Sequence, residues 1–171
     1  SGGGKSTLLA EMHRQGFHTV QEPGRQIVKE QIDAGGDALP WANADKFVDL
    51  CIARGIASYN AAPRDGGVVL FDRSIVDAVS AARSMSNGLR DDHRDALERC
   101  RYSGRVYMVP PWRELFANDA ERRHGYEEAV NEHDRLIRDY REWGYDVEVL
   151  PKLPVLERAE HLNRRLLEQL A

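Results

Sequence analysis

Ser1-Gly2-Gly3-Gly4-Lys5-Ser6-Thr7-Leu8 opens the chain. Three successive glycines let the backbone curl so that several N–H groups point inward. The Lys-Ser pair that follows completes the second half of the phosphate-loop pattern G-x-x-x-x-G-K-[ST]. Gly2, Gly3 and Gly4 supply the conformational freedom, and Lys5 is expected to reach the β- and γ-phosphates of a nucleoside triphosphate. The Ser6 hydroxyl is expected to hold Mg2+, and Thr7 adds a further hydroxyl beside the phosphates. The competing reading is a flexible glycine-rich terminus that happens to precede Lys-Ser. Two features farther along the chain argue against it: a helical pattern begins at once, and an aspartate stands at the end of an apolar run.

From Lys5 to Gln15, Leu8, Leu9 and Met12 recur at helical spacing, and Gly16 stands where a helix would stop. Phe17-His18-Thr19-Val20 reads as a short strand that runs into Glu22-Pro23-Gly24. Between Trp41 and Ala61, Phe47, Leu50, Cys51 and Ala57 share one face of a 3.6-residue period, which predicts a long amphipathic helix. Val68-Val69-Leu70-Phe71 is a continuous apolar run of the kind found in strands covered on both faces, and it ends in Asp72-Arg73-Ser74. Val106 to Val109 stops at Pro110-Pro111, and Val147 to Leu150 stops at Pro151. Between these runs lies a helix with Ala129, Val130, His133, Leu136, Ile137, Tyr140 and Trp143 on its apolar face and Gly144 as its stop. Pro154 begins a closing helix with Val155, Ala159, Leu162, Leu166 and Leu170 along one side.

Strands alternating with helices through short turns predict an α/β domain with a mainly parallel sheet. The length of 171 residues, of which 42% are hydrophobic, suits one domain spanning residues 1–171 with a full core. A phosphate loop joins a strand to a helix, yet the sequence starts inside the loop. The first strand is therefore expected to lie outside it, in a longer protein, because losing a central parallel strand would strip its neighbours of backbone partners.

The formal net charge of −4, from 28 acidic against 24 basic residues, offers no broad cationic field for a nucleic-acid backbone. Nucleic acid is not an expected partner. Two cysteines, Cys51 and Cys100, lack zinc or redox spacing, and the six histidines are scattered, so they read as surface or packing residues. No apolar stretch approaches the ~20 residues that cross a bilayer. A reduced, cytoplasmic setting is expected, and the composition does not bear on oligomeric state.

Asp72 is placed at the carboxyl end of a strand, where a carboxylate in a phosphate-loop domain can hold Mg2+. Its alternative reading is an N-cap for the segment from Ser74, and the two roles are compatible. Glu22 suits a general base if it is partly desolvated and in reach of a hydroxyl. The alternative is a carboxylate answering the N–H groups of the following helix. Arg25 lies on the same turn as an ion-pair partner or a second substrate contact. Asp77 and Trp41 are weaker candidates for an acceptor pocket, with helix-turn and core-anchor roles as their plainer readings. No Asn-Lys-x-Asp run reads guanine, so ATP is favoured over GTP.

Gly4-Lys5-Ser6-Thr7, Glu22 with Arg25, Pro40-Trp41, Phe71-Asp72-Arg73, Pro110-Pro111-Trp112, Asn118-Asp119 with Arg122-Arg123, and Pro151-Lys152-Leu153-Pro154 span nearly the whole chain. With them the sequence resembles a family of small P-loop proteins described as predicted ATPases, which carry an AAA-type domain shared with the NadR proteins. The resemblance implies the architecture of nucleoside and nucleotide kinases. That is a P-loop NTPase three-layer sandwich with a five-stranded, mainly parallel sheet in the order 2-3-1-4-5, strand 1 being the one missing from the sequence. Glu22-Pro23-Gly24 and Asp72-Arg73-Ser74 are similar to fragments of deoxynucleoside and thymidylate kinases. There, the likeness implies, Glu22 accepts a proton from the acceptor hydroxyl and Arg73 grips the acceptor or the transferred phosphate. The stretch 112–125, with Arg113, Arg122 and Arg123, falls where such kinases carry a lid, and lid arginines stabilise charge on the γ-phosphate oxygens. A solvated charged helix is the alternative.

Two functions follow as expectations. One is a small-molecule kinase using ATP, or GTP, and Mg2+ on an unidentified acceptor; the other is a nucleotide switch or slow NTPase read by a partner. A motor-type AAA activity is poorly supported, because the chain lacks room for a small helical lid domain and shows no sensor arginine. Lys5→Ala is expected to abolish triphosphate binding while the fold stays intact. Titration calorimetry beside circular dichroism checks this, and unchanged binding with an unchanged spectrum would remove its basis.

Overall fold

The computed structural model describes residues 3–85, 89–115 and 125–170. The chain divides into two compact units, one comprising Ser1–Thr19 and Gly104–Ala171 and the other Val20–Ser103.

In the first unit, α1 (Lys5–Arg14) carries Leu8, Leu9 and Met12 on its buried face. It packs against α7 (Val155–Leu170), whose Ala159, Leu162 and Leu166 are buried. Beyond α1, Gly16 takes a φ of 97°, and Phe17 N–H donates to the Met12 carbonyl at 3.1 Å, which stops the helix. Strand β3 (Arg105–Met108) pairs in parallel with β4 (Asp146–Val149), from Arg105 opposite Asp146 to Met108 opposite Val149. Parallel partners require a crossover, and α6 (Tyr126–Glu142) provides it. Its Ala129, Leu136 and Tyr140 are buried, and Tyr140 meets Tyr145 edge-on at 5.5 Å. Gly144, with a φ of 84°, ends α6 as its sequence position predicts. The closing helix starts one residue later than expected: Pro154 stands before α7, its carbonyl accepting from Arg158 N–H at 3.0 Å.

In the second unit, α2 (Pro23–Ala34) lies against α3 (Ala44–Ala61), α3 against α4 (Ile75–Met85), and α4 against α5 (Asp91–Arg99). The α3 helix begins at Ala44 rather than Trp41, because the Asn43 side chain accepts from Lys46 N–H at 3.2 Å and caps it there. Strand β2 (Val69–Phe71) follows, and Asp72 N–H donates to the Val20 carbonyl at 2.7 Å. Val20 is the last residue of β1 (His18–Val20), the strand paired with β2.

The described strands therefore form two two-stranded parts, β1-β2 and β3-β4. The expected covered strand at 68–71 is short and only half-buried. Among the described residues no helix is long and apolar enough to cross a membrane.

Gly55 is a point of close approach between α3 and α4. A Cβ there would stand 2.9 Å from Ile75 Cγ1, and Ile75 is only 1% exposed, so it has nowhere to move. Gly55→Val is expected to lower the unfolding free energy by about 1–3 kcal/mol through overpacking, read from urea denaturation.

Candidate functional site

The phosphate loop is built by close approach. Gly3 is buried, and a Cβ on it would lie 2.2 Å from the Pro110 carbonyl oxygen and 2.7 Å from Val109 Cγ1. Only a glycine lets the loop lie on the end of β3, which gives Pro110-Pro111 a structural role. Gly4 then takes the left-handed conformation (φ 73°, ψ 27°) and serves as N-cap of α1 without any side-chain cap. The first N–H groups of a helix have no intrahelical acceptor, and the α-helical ladder of α1 begins with Leu8 N–H donating to the Gly4 carbonyl at 3.1 Å. No acidic residue stands in the first turn to occupy this positive end. A glycine-led helix start of this kind is the form expected of a phosphate site at Lys5, Ser6 and Thr7.

Lys5 is half-buried and is the first residue of α1, not a member of a solvent-facing loop; Ser6 and Thr7 are exposed. Of the other residues expected in this region, Gly2, Arg122 and Arg123 lie outside the described residues. Arg113 is exposed in a short 3-10 turn and rests on the Tyr126 ring, 4.8 Å from its centroid.

One residue that the sequence reading did not single out also reaches the loop. Arg158, on α7, is 2% exposed, and its Nη1 donates to the Gly3 carbonyl at 2.6 Å. Its Nη2 would stand 3.0 Å from a Cβ on Gly4, and its guanidinium lies 5.9 Å from the centre of the Trp112 ring. Burial pushes the guanidinium pKa below its ordinary value. A signal was present in the sequence: Arg158 falls between Val155 and Ala159 on the apolar side of its helix, where a charge is out of place.

A second polar cluster belongs to the other unit. Glu22 is the N-cap residue of α2, but its side chain makes no capping bond. Its Oε1 instead faces Arg73 Nε at 2.9 Å, so the helix-start alternative gives way to an ion pair. Arg73 also approaches Asp77, with Nη1 3.4 Å from Oδ1. Among the described residues Arg73 is the one non-glycine with positive φ, 65°. A left-handed arginine is strained by about 1–3 kcal/mol and persists where its surroundings over-determine it, as Glu22 and Asp77 do here.

Asp72, just before it, is 3% exposed. Its neighbours contribute bonds at the start of α4. Ser74 Oγ accepts from Val76 N–H at 3.0 Å, and Asp77 Oδ2 accepts from Ser74 N–H at 2.8 Å. Asp77 is thereby a capping residue of α4 as well as a partner of Arg73. Trp41 is 40% exposed, which does not fit a core anchor. Gly24 lies beside Glu22, its Cβ position 3.7 Å from Oε1 and 3.9 Å from Cys51 Sγ. Burial first, and the Glu22 charge second, push the Cys51 thiol up to about 12, so it stays protonated and unreactive near neutral pH.

Gly3→Ala is expected to be costly, because a new methyl would meet a backbone oxygen that cannot rotate away. The expected loss is about 1–3 kcal/mol of stability, visible as a lower urea midpoint with the slope unchanged.

A family model described as AAA domain matches residues 1–158, from the phosphate loop through both strand pairs to Arg158. No match was found among curated proteins or among solved structures. The matched span covers most of the chain and includes a glycine loop that lies on a strand end and leads into a helix without a side-chain cap. The chain belongs to the AAA domain family of nucleotide-binding P-loop proteins.

Proposed function

We propose that this protein is a small-molecule kinase that transfers the γ-phosphoryl group of ATP to a hydroxyl or phosphate of a nucleoside- or nucleotide-like acceptor. The observation that carries this reading is the Glu22–Arg73–Asp77 constellation, in which a strained left-handed arginine is held between two carboxylates directly after Asp72. Strained backbone of this kind clusters at functional sites, and a guanidinium is suited to binding phosphate, which is what supports the reading.

With a hydroxyl acceptor, its oxygen forms the new bond to the γ-phosphorus and the bond to the bridging oxygen of ADP breaks. Glu22 accepts the hydroxyl proton, and Arg73 holds the acceptor or the moving phosphoryl group. On the donor side Lys5 and the N–H groups of α1 hold the phosphates. Ser6 and Asp72 are the residues proposed for Mg2+, which when bound neutralises phosphate charge. Arg122 and Arg123 remain proposed contributors to charge stabilisation. The reading carries with it one domain over residues 1–171 and the sheet order 2-3-1-4-5, with β1 to β4 as its strands numbered 2 to 5. The pairings β1-β2 and β3-β4 are those this order requires.

The test is turnover with ATP or GTP and Mg2+, alone and with a panel of nucleosides, nucleotides and small phosphorylated metabolites. Acceptor-dependent product is expected. Glu22→Gln should lower kcat by about 10²–10⁴-fold with ATP affinity unchanged. Tight binding with slow hydrolysis that no acceptor accelerates would replace the kinase with a nucleotide switch.

A further inference from the structure

Arg158 differs from the other arginines around it. Arg105 pairs with Asp146 at 2.9 Å, Arg165 with Glu148 at 2.8 Å, and Arg14 with Glu11 at 2.7 Å, each at least partly exposed. Arg158 is 2% exposed and has no carboxylate partner among the described residues, and its Nε is buried without a hydrogen-bond acceptor. A buried cation is stable only when something compensates it, and one neutral carbonyl does so incompletely.

The one strong contact it makes lies on the phosphate loop. Nη1 donates to the Gly3 carbonyl at 2.6 Å. In a trans peptide the C=O and the following N–H point in opposite directions. By pulling the Gly3 carbonyl toward α7, Arg158 turns the Gly4 N–H away from itself. The Gly4 backbone, left-handed at φ 73°, then leads into the uncapped first turn of α1. The same guanidinium thus sets the direction of a loop donor and leaves its own charge beside an anion receptor. Trp112, at 5.9 Å, covers it with an aromatic ring rather than an acid.

We propose that Arg158 is a positioning residue of the phosphate loop, holding the Gly3–Gly4 peptide in its anion-binding orientation and supplying from α7 a buried positive charge that the polyphosphate of a bound nucleotide completes. The inference rests on nucleotide binding and not on the kinase reading. It assigns Arg158 to the di- and triphosphate moiety, not to the base or ribose. It also implies that stability is sacrificed in the empty protein for affinity in the loaded one, since removing an uncompensated buried charge is neutral or stabilising.

The experiment compares wild type, R158M and R158K by titration calorimetry with Mg-ATP, ADP, tripolyphosphate and adenosine, at a temperature where all three are folded, together with melting in the absence of ligand. R158M, of similar length and uncharged, is expected to weaken ATP, ADP and tripolyphosphate by about tenfold or more, the usual range for a lost charge-assisted bond. Adenosine should change by less than about threefold, the ligand-free melting temperature should stay level or rise, and R158K should recover part of the loss. Unchanged phosphate-ligand affinity in R158M, with or without a fall in melting temperature, would reduce Arg158 to a packing residue and overturn the proposal. An equal loss for adenosine would overturn it as well, by assigning the guanidinium to the nucleoside. If wild type itself binds neither ATP nor tripolyphosphate, what fails is the nucleotide-binding reading underneath, and this proposal falls with it.

Discussion

The approach of Gly3 to the Pro110 carbonyl is the contact on which the first unit depends. A Cβ would close that gap to 2.2 Å, so the absence of a side chain is what lets the loop lie on the end of β3. From that seat the chain turns through a left-handed Gly4 and enters α1 with no cap. The helix is then held by Leu8, Leu9 and Met12, which are buried on the side that packs with α7, while no side chain caps its N-terminus. Arg158 reaches the loop because α7 packs on α1. Core packing and ligand chemistry are therefore set by the same few residues.

The second unit repeats the logic at another strand end. Strand β2 stops at Asp72, which is buried and joined to the Val20 carbonyl through its backbone, and the next residue takes a conformation that arginine ordinarily avoids. Glu22 and Asp77 hold its guanidinium, and Ser74 with Asp77 starts α4. Polar residues at carboxyl ends of strands are the usual carriers of function in α/β proteins, since the strand fixes their origin and the turn sets their direction.

Much of this was legible before any coordinates. The phosphate loop, the stops at Gly16 and Gly144, and the apolar faces of α1, α6 and α7 follow from local rules: glycine's access to positive φ, and the 3.6-residue period. Helix α5 was missed, because Asp91 to Arg99 is dominated by charge and only His93, Ala96 and Leu97 are buried. Helix α2 was legible only as the helix following Glu22, without bounds, because Pro23-Gly24 marks the end of a strand as readily as the first turn of a helix. The start of α3 was misjudged by three residues because the Asn43 cap outranks the apolar Trp41.

Residue order alone set local features: a glycine loop leading into a helix, two strand ends carrying Glu22 and Asp72-Arg73, and enough pattern to mark an α/β chain. Tertiary structure decided the partners. Glu22 meets Arg73 instead of capping its helix, Ser74 accepts from Val76 at the start of α4, and Arg158 grips Gly3 across 155 residues of chain. The division has a physical cause. Turn dihedrals, capping and periodicity depend on residues within one helical turn of each other. Which carboxylate compensates which guanidinium depends on where distant helices pack, and a single sequence records that only as an arginine standing on an apolar face.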